Sequence, residues 1–119
     1  MPENIFQNPE KLYILWTSGD REVALKMVFM YTLNSRLKEW WKEVCLIVWG
    51  PSSRLLAEDI ELQENLADMK AAGVELLACK ACSDMYGVTG KLEELGIEVI
   101  LMGQPLTQIL KSGQKLVTF

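Results

Sequence analysis

Five apolar runs of five to seven residues punctuate the chain, and between them apolar residues return every three or four positions. Lys11-Leu12-Tyr13-Ile14-Leu15-Trp16-Thr17 is the first run, ended by Ser18-Gly19-Asp20. Asp20 is a natural N-cap, and the helical periodicity after it extends from Arg21 to about Leu37. The second run, Val44 to Trp49, stops at Gly50-Pro51-Ser52-Ser53. Helical sequence then runs from Arg54 to about Ala72, with a break expected near Asp59 and a stop at Gly73. A third strand, Val74 to Cys79, leads into one helix or two short ones reaching Leu95, interrupted by Gly87 and Gly90. Ile97 to Leu101 reads as the fourth strand, Leu106 to Ser112 as a helix bracketed by Pro105 and Gly113, and Lys115 to Phe119 as the fifth strand.

Strict alternation of strand and helix with short connections predicts an α/β fold. The form expected is a single-domain, flavodoxin-like three-layer sandwich around a parallel five-stranded sheet. The near-continuous apolarity of the strands agrees, since a parallel sheet is covered on both faces. Right-handed crossovers suggest the strand order 2-1-3-4-5, which puts the switch point between strands one and three. The Thr17–Asp20 loop and the Cys79 turn would then face each other across a crevice. The first helix carries a second expectation. Val23, Ala24, Met27, Val28, Met30 and Tyr31 form a broad face suited to the sheet, while Leu25, Phe29 and Leu33 make another stripe behind it. A helix apolar nearly all round needs a second cover, either a subunit interface or the folding over of Trp40-Trp41 or an N-terminal arm.

Residues 1–10 read as that arm and 11–119 as one domain, a length that buries a core without staples. The net charge of −4 argues against direct nucleic-acid binding as the main activity. No basic and apolar leader is visible at Met1-Pro2-Glu3-Asn4, and no apolar run is long enough to cross a bilayer. Three cysteines do not make a secreted disulfide framework, so a reducing cytoplasm is the expected setting, away from membranes. The chain has no histidine. That removes Ser-His-Asp and Cys-His catalysis and every histidine-containing metal site. A four-cysteine zinc site would need a second chain, so neither a metal nor any other cofactor is expected.

Candidate chemistry concentrates at Cys79 and Cys82, where a strand stops and a helix starts. Such junctions are where open α/β sheets bind and react, and a thiol there can be exposed and held as thiolate by the helix end. The i, i+3 spacing brings both side chains onto one face within disulfide range, with Lys80 adding positive charge and Asp84 opposing it. The plainer alternative is a pair of small, partly buried hydrophobes. Cys45, inside an apolar strand, reads as core packing. Ser18 and Gly19 after strand one, and Gly50 and Ser52 after strand two, offer hydroxyls and backbone N–H groups for a small anion, or simply cap and turn the chain. No G-x-G-x-x-G or P-loop pattern is present, so nucleotide binding has no positive signal.

These residues also carry a resemblance. Trp49-Gly50-Pro51-Ser52 with Leu55-Leu56-Ala57, Ala72 to Cys82, Tyr86-Gly87-Val88, and Leu95 to Val99 with Met102-Gly103 are together similar to the DsrE/DsrF-like family, in a C-x-x-C variant. The family comprises small α/β proteins of sulfur metabolism, including sulfur-relay subunits. The resemblance implies a homotrimer or hexamer, and persulfide chemistry on a cysteine in the loop after strand three. In sulfur-relay members a glycine stands eight residues beyond that cysteine. Cys79 and Gly87 have this spacing, so the resemblance gives Cys79 the acceptor role and leaves Cys82 as a resolving or auxiliary thiol.

The expected function is that of a sulfur carrier or sulfurtransferase subunit. It would take sulfur from a persulfide donor protein onto Cys79 and pass it to an acceptor thiol. Two other readings stay open: a thiol–disulfide module cycling Cys79 and Cys82, and a non-catalytic oligomeric binding subunit.

Overall fold

A computed structural model describes residues 10–119; residues 1–9, and with them almost all of the expected N-terminal arm, lie outside the described residues. The strands are β1 (Lys11–Trp16), β2 (Glu43–Val48), β3 (Glu75–Cys79), β4 (Glu98–Ile100) and β5 (Lys115–Thr118). They form one sheet in the order β4-β3-β2-β1-β5, parallel throughout. The expected order 2-1-3-4-5 is therefore wrong: β2 lies between β1 and β3, and β5 pairs with β1 instead of closing the far edge. The physical reason lies in the strands themselves. From Val44 to Val48 every residue of β2 is buried, as a central strand requires, whereas β4 has three residues and β5 four, with charged Glu98 and Lys115 at their starts. Short, partly exposed strands belong at edges.

Three successive right-handed crossovers move the chain from β1 to β4 in one direction and stack their helices on one face. These are α1 (Arg21–Val23), which continues through a π-helical stretch (Ala24–Phe29) into α2 (Met30–Leu37), then α3 (Pro51–Glu58), α4 (Ile60–Ala71), α5 (Lys80–Tyr86) and α6 (Thr89–Glu94). The return crossover to β5 places α7 (Gly103–Lys111) on the opposite face. The core divides accordingly. Leu12, Ile14, Trp16, Val44, Leu46, Val48, Leu76 and Ala78 face the helical side, packed with Val28, Leu56, Leu66 and Leu92. The alternate positions Cys45, Ile47, Leu77 and Cys79 pack under Met102 and Ile109 of the α7 connection, with Tyr13, Leu15, Trp49 and Cys82 at the margin. Helices thus cover both faces, though unequally.

Several local expectations hold. Asp20 caps α1, accepting from the Glu22 and Val23 N–H groups at 2.8 and 3.4 Å. The helical stretch after β2 breaks at Asp59, whose side chain caps α4 through the Leu62 N–H at 3.0 Å. Two helices begin earlier than expected, α3 at Pro51 and α7 at Gly103. The faces of the first helix also differ from expectation. Ala24 and Val28 are buried on the sheet as foreseen, but Met27, Met30 and Tyr31 point outward at 50%, 57% and 37% exposure. Leu25, Phe29 and Leu33 instead line a small cavity of about 140 Å³ with Met69 of α4. The π-helical stretch explains the exchange, because each i→i+5 turn takes up an extra residue and rotates the next turns out of the 3.6-residue phase.

Candidate functional site at the Cys79–Cys82 turn

Strand β3 delivers Cys79 to the carboxyl edge of the sheet, where it sits in the N-cap position of α5 with extended backbone. Leu77 and Cys79 share the α7 side, so the Cys79 thiol points beneath Met102 and Ile109 and the residue is only 4% exposed. The exposed thiol expected from sequence is therefore a buried one. Cys82, one helical turn on, is half-buried and reaches the same cluster. It packs one helical turn from Cys79 against the same buried residues, and both cysteines are free.

Two further partners meet Cys82, the backbone of Gly50 and the side chain of Trp49. Both are N–H donors, and both favour the thiolate. Burial works against them and is the larger influence, and the neighbouring Cys79 adds to it, so the Cys82 thiol is pushed above its ordinary value of 9.0. Activation by the helix end, as read from the sequence, is outweighed here. Cys45 lies deeper on the same face, and burial pushes its thiol up to about 12, as its core role requires.

The Trp49-Gly50 corner is held from behind. Gly50 has φ 75° and ψ −141°, a backbone region that residues with a Cβ avoid. Ser52 is fully buried; its hydroxyl accepts from the Trp49 N–H at 3.2 Å and lies 2.6 and 3.1 Å from the Trp16 and Trp49 carbonyls. Its hydrogen bonds are spent on fixing the β1 and β2 ends. Ser18 accepts from the Asp20 N–H at 3.1 Å, and Gly19 passes so close to Pro51 that a Cβ there would sit 3.1 Å from the proline Cβ. The β1 and β2 loops are thus brought together, but the loop after β2 separates Ser18 and Gly19 from Cys79. Lys80 turns outward to Asp84 at 2.9 Å, and that carboxylate raises its ammonium above the ordinary lysine value.

A cleft of about 290 Å³ opens beside the site, lined by Gly19, Pro51, Arg54, Leu55, Glu58 and Tyr86. Trp49 is the residue that sequence reasoning undervalued. It was legible as the last apolar residue before a Gly-Pro turn, but its contact with Cys82 depends on β2 and β3 being neighbours, which the expected order denied. Among the described residues no group of three or more cysteine, aspartate or glutamate side chains is placed to hold a metal ion, and no helix is long and apolar enough to cross a membrane.

A family model for the DsrE/DsrF-like family matches residues 17–119. The conserved protein of unknown function BT1422 from Bacteroides thetaiotaomicron is 39% identical, covers 92% of this chain and 95% of its own, and superposes with a TM-score of 0.90. The ychN protein from E. coli shares the fold at a TM-score of 0.69 and 18% identity, over 92% of this chain and 98% of its own. No match was found among curated proteins. With the family model spanning β2 to β5, the cysteine turn and every helix, the chain belongs to the DsrE/DsrF-like family.

Proposed function

We propose that this protein is a sulfur carrier or sulfurtransferase subunit that holds a persulfide on Cys79. Family membership supports a sulfur-relay-type role at the level of the family. The observation that carries the reading to this chain is the packing of two free cysteines into one cluster at the carboxyl edge of β3, one buried and one half-buried.

The chemistry is redox-neutral. A thiolate attacks the outer sulfur of a donor persulfide R–S–SH, a new S–S bond forms, the old one breaks, and R–S⁻ leaves. Delivery reverses this with an acceptor thiolate, which takes the outer sulfur and releases the Cys79 thiolate. Burial under Met102 and Ile109 keeps the stored persulfide from water and stray thiols. Free thiols suit a reducing compartment, and the cytoplasm is the proposed location. The working unit is a homotrimer or hexamer, meeting donor and acceptor proteins at the carboxyl edge of the sheet.

The test is to incubate the reduced protein with glutathione persulfide, alkylate, and measure intact mass and tryptic peptides. Cleavage after Lys70, Lys80 and Lys91 puts Cys79 and Cys82 on separate peptides, 71–80 and 81–91. The expected end point is one added sulfur, about 32 Da, on the 71–80 peptide. Loss of two hydrogens would instead favour the thiol–disulfide reading, which the same cysteine packing also supports. No mass change would leave a binding subunit.

A further inference from the structure

We propose that Cys82 is the port through which sulfur reaches Cys79, with Trp49 and Gly50 as the residues that position and stabilise its sulfur anion. The proposal rests on the persulfide reading above and assigns the order of events within it. Cys79 is 4% exposed and packed with Met102 and Ile109, so Cys82 is the thiol a donor meets first. Cys82 is the more accessible member of the pair and packs against the cluster that holds Cys79. Trp49 packs against the same cluster as Cys82, and the Gly50 N–H and the Trp49 indole both favour the Cys82 thiolate. Their arrangement is built in, because Gly50 occupies a glycine-specific conformation and the buried Ser52 hydroxyl locks the Trp49 backbone.

The transfer takes two exchanges. The Cys82 thiolate first attacks the outer sulfur of R–S–SH, expelling R–S⁻ and forming Cys82–S–SH. The Cys79 thiolate then attacks that outer sulfur, forming Cys79–S–SH and expelling the Cys82 thiolate. Each exchange makes one S–S bond and breaks one; the persulfide proton stays with the transferred sulfur, and nothing is oxidised or reduced. The departing Cys82 thiolate is the charge that the two N–H groups stabilise, and a better-stabilised thiolate leaves faster. Packing of both cysteines in one cluster makes the second exchange intramolecular, with the high effective concentration that implies.

The experiment is a quenched time course with glutathione persulfide on wild type, Cys82→Ser and Trp49→Phe, read on the 71–80 and 81–91 peptides. In wild type, sulfur is expected on the Cys82 peptide first and on the Cys79 peptide later. Cys82→Ser is expected to slow Cys79 loading by about tenfold or more, given the advantage of an intramolecular exchange. Trp49→Phe keeps an aromatic ring and removes the N–H. It is expected to slow the second exchange by about three- to tenfold, and to move the pH dependence of Cys82 alkylation upward. Cys79 loading in Cys82→Ser at the wild-type rate overturns the port while leaving the carrier reading intact. Sulfur that stays on Cys82 in wild type overturns the second exchange, and an unchanged Trp49→Phe profile overturns the positioning role. A wild type that gains no sulfur on either peptide sinks the carrier reading itself.

Discussion

At the scale of single residues, three thiols of one chain differ because they stand at different depths on one face of a sheet. Cys45 is enclosed by Ile47, Leu77 and their neighbours, and its thiol is pushed to about 12. Cys82 is pushed above 9.0 by burial, against the pull of Gly50 and Trp49. A thiol with a raised value is protonated at neutral pH, and its reactive anion grows in as the pH rises. Alkylation of Cys82 is therefore expected to quicken about tenfold per pH unit from 7 to 9 without levelling off, since thiolate fraction grows in that proportion below the pKa. Cys45 is expected to stay unmodified over the same range until the protein is denatured. Peptide-resolved alkylation rates check both; a plateau for Cys82 below pH 8, or native labelling of Cys45, would contradict this ordering.

At the scale of elements, Asp59 joins two helices to a third. It ends α3, caps α4 through the Leu62 N–H, and pairs with Arg21 of α1 at 2.6 Å, while Arg21 also bonds Glu61. The Arg21 guanidinium, followed by the Leu62 N–H, holds the Asp59 carboxyl below its ordinary value of 3.8. A carboxylate depressed on folding lends stability that is fully present above the unfolded value and is lost as the pH falls through the folded one. Asp59→Ala is expected to cost about 1 kcal/mol at pH 7, the usual worth of a cap, whereas Asp59→Asn keeps the cap and costs less. Both differences should shrink in denaturant titrations as the pH falls below 3.8; a loss that is constant with pH would show that the carboxylate's charge contributes nothing. This break at Asp59 was legible in the sequence, as was the strand end at Cys79, because caps and apolar runs are local signals. The strand order was misread, although the short β4 and the buried Val44–Val48 run of β2 carried it. The phase of the first helix was beyond reading, since no residue between Ala24 and Phe29 announces a π-helical turn. The cysteine pair was visible as a motif, but the burial of Cys79 comes from which sheet face α7 covers, a consequence of the missed strand order.

At the scale of the molecule, the helices of the first three crossovers gather on one face of the sheet and a single helix serves the other, leaving part of the outer surface of the first helix exposed among the described residues. Met27, Met30, Tyr31 and Trp40 are 50%, 57%, 37% and 53% exposed and, with Lys26, Asn34 and Phe119, border a cavity of about 370 Å³. Trp40 lies against Tyr31 with ring centroids 5.8 Å apart, and the Trp41 indole donates to the Tyr31 hydroxyl at 3.1 Å. The tryptophans thus fold over Tyr31, as the simpler expectation held, yet the two methionines keep half or more of their surface exposed. Lone exposed apolar residues are ordinary, but methionines and aromatics gathered around a concavity make this face the first one to test for association. If the oligomer forms through this face, a carboxylate at its centre must be desolvated on assembly. Met30→Glu is then expected to weaken association by about a hundredfold, or about 3 kcal/mol, read by sedimentation as a shift toward monomer. Ile60→Glu serves as the control, because Ile60 is 71% exposed at the start of α4 and does not border that cavity. Dissociation by Met30→Glu alone would place the interface on the first helix. Equal stability of both variants would move it elsewhere, and a monomeric wild type would remove it. Because Met30 does not line the cysteine cluster, the dissociated variant also tells whether Cys79 accepts sulfur within one chain or needs its neighbours to do so.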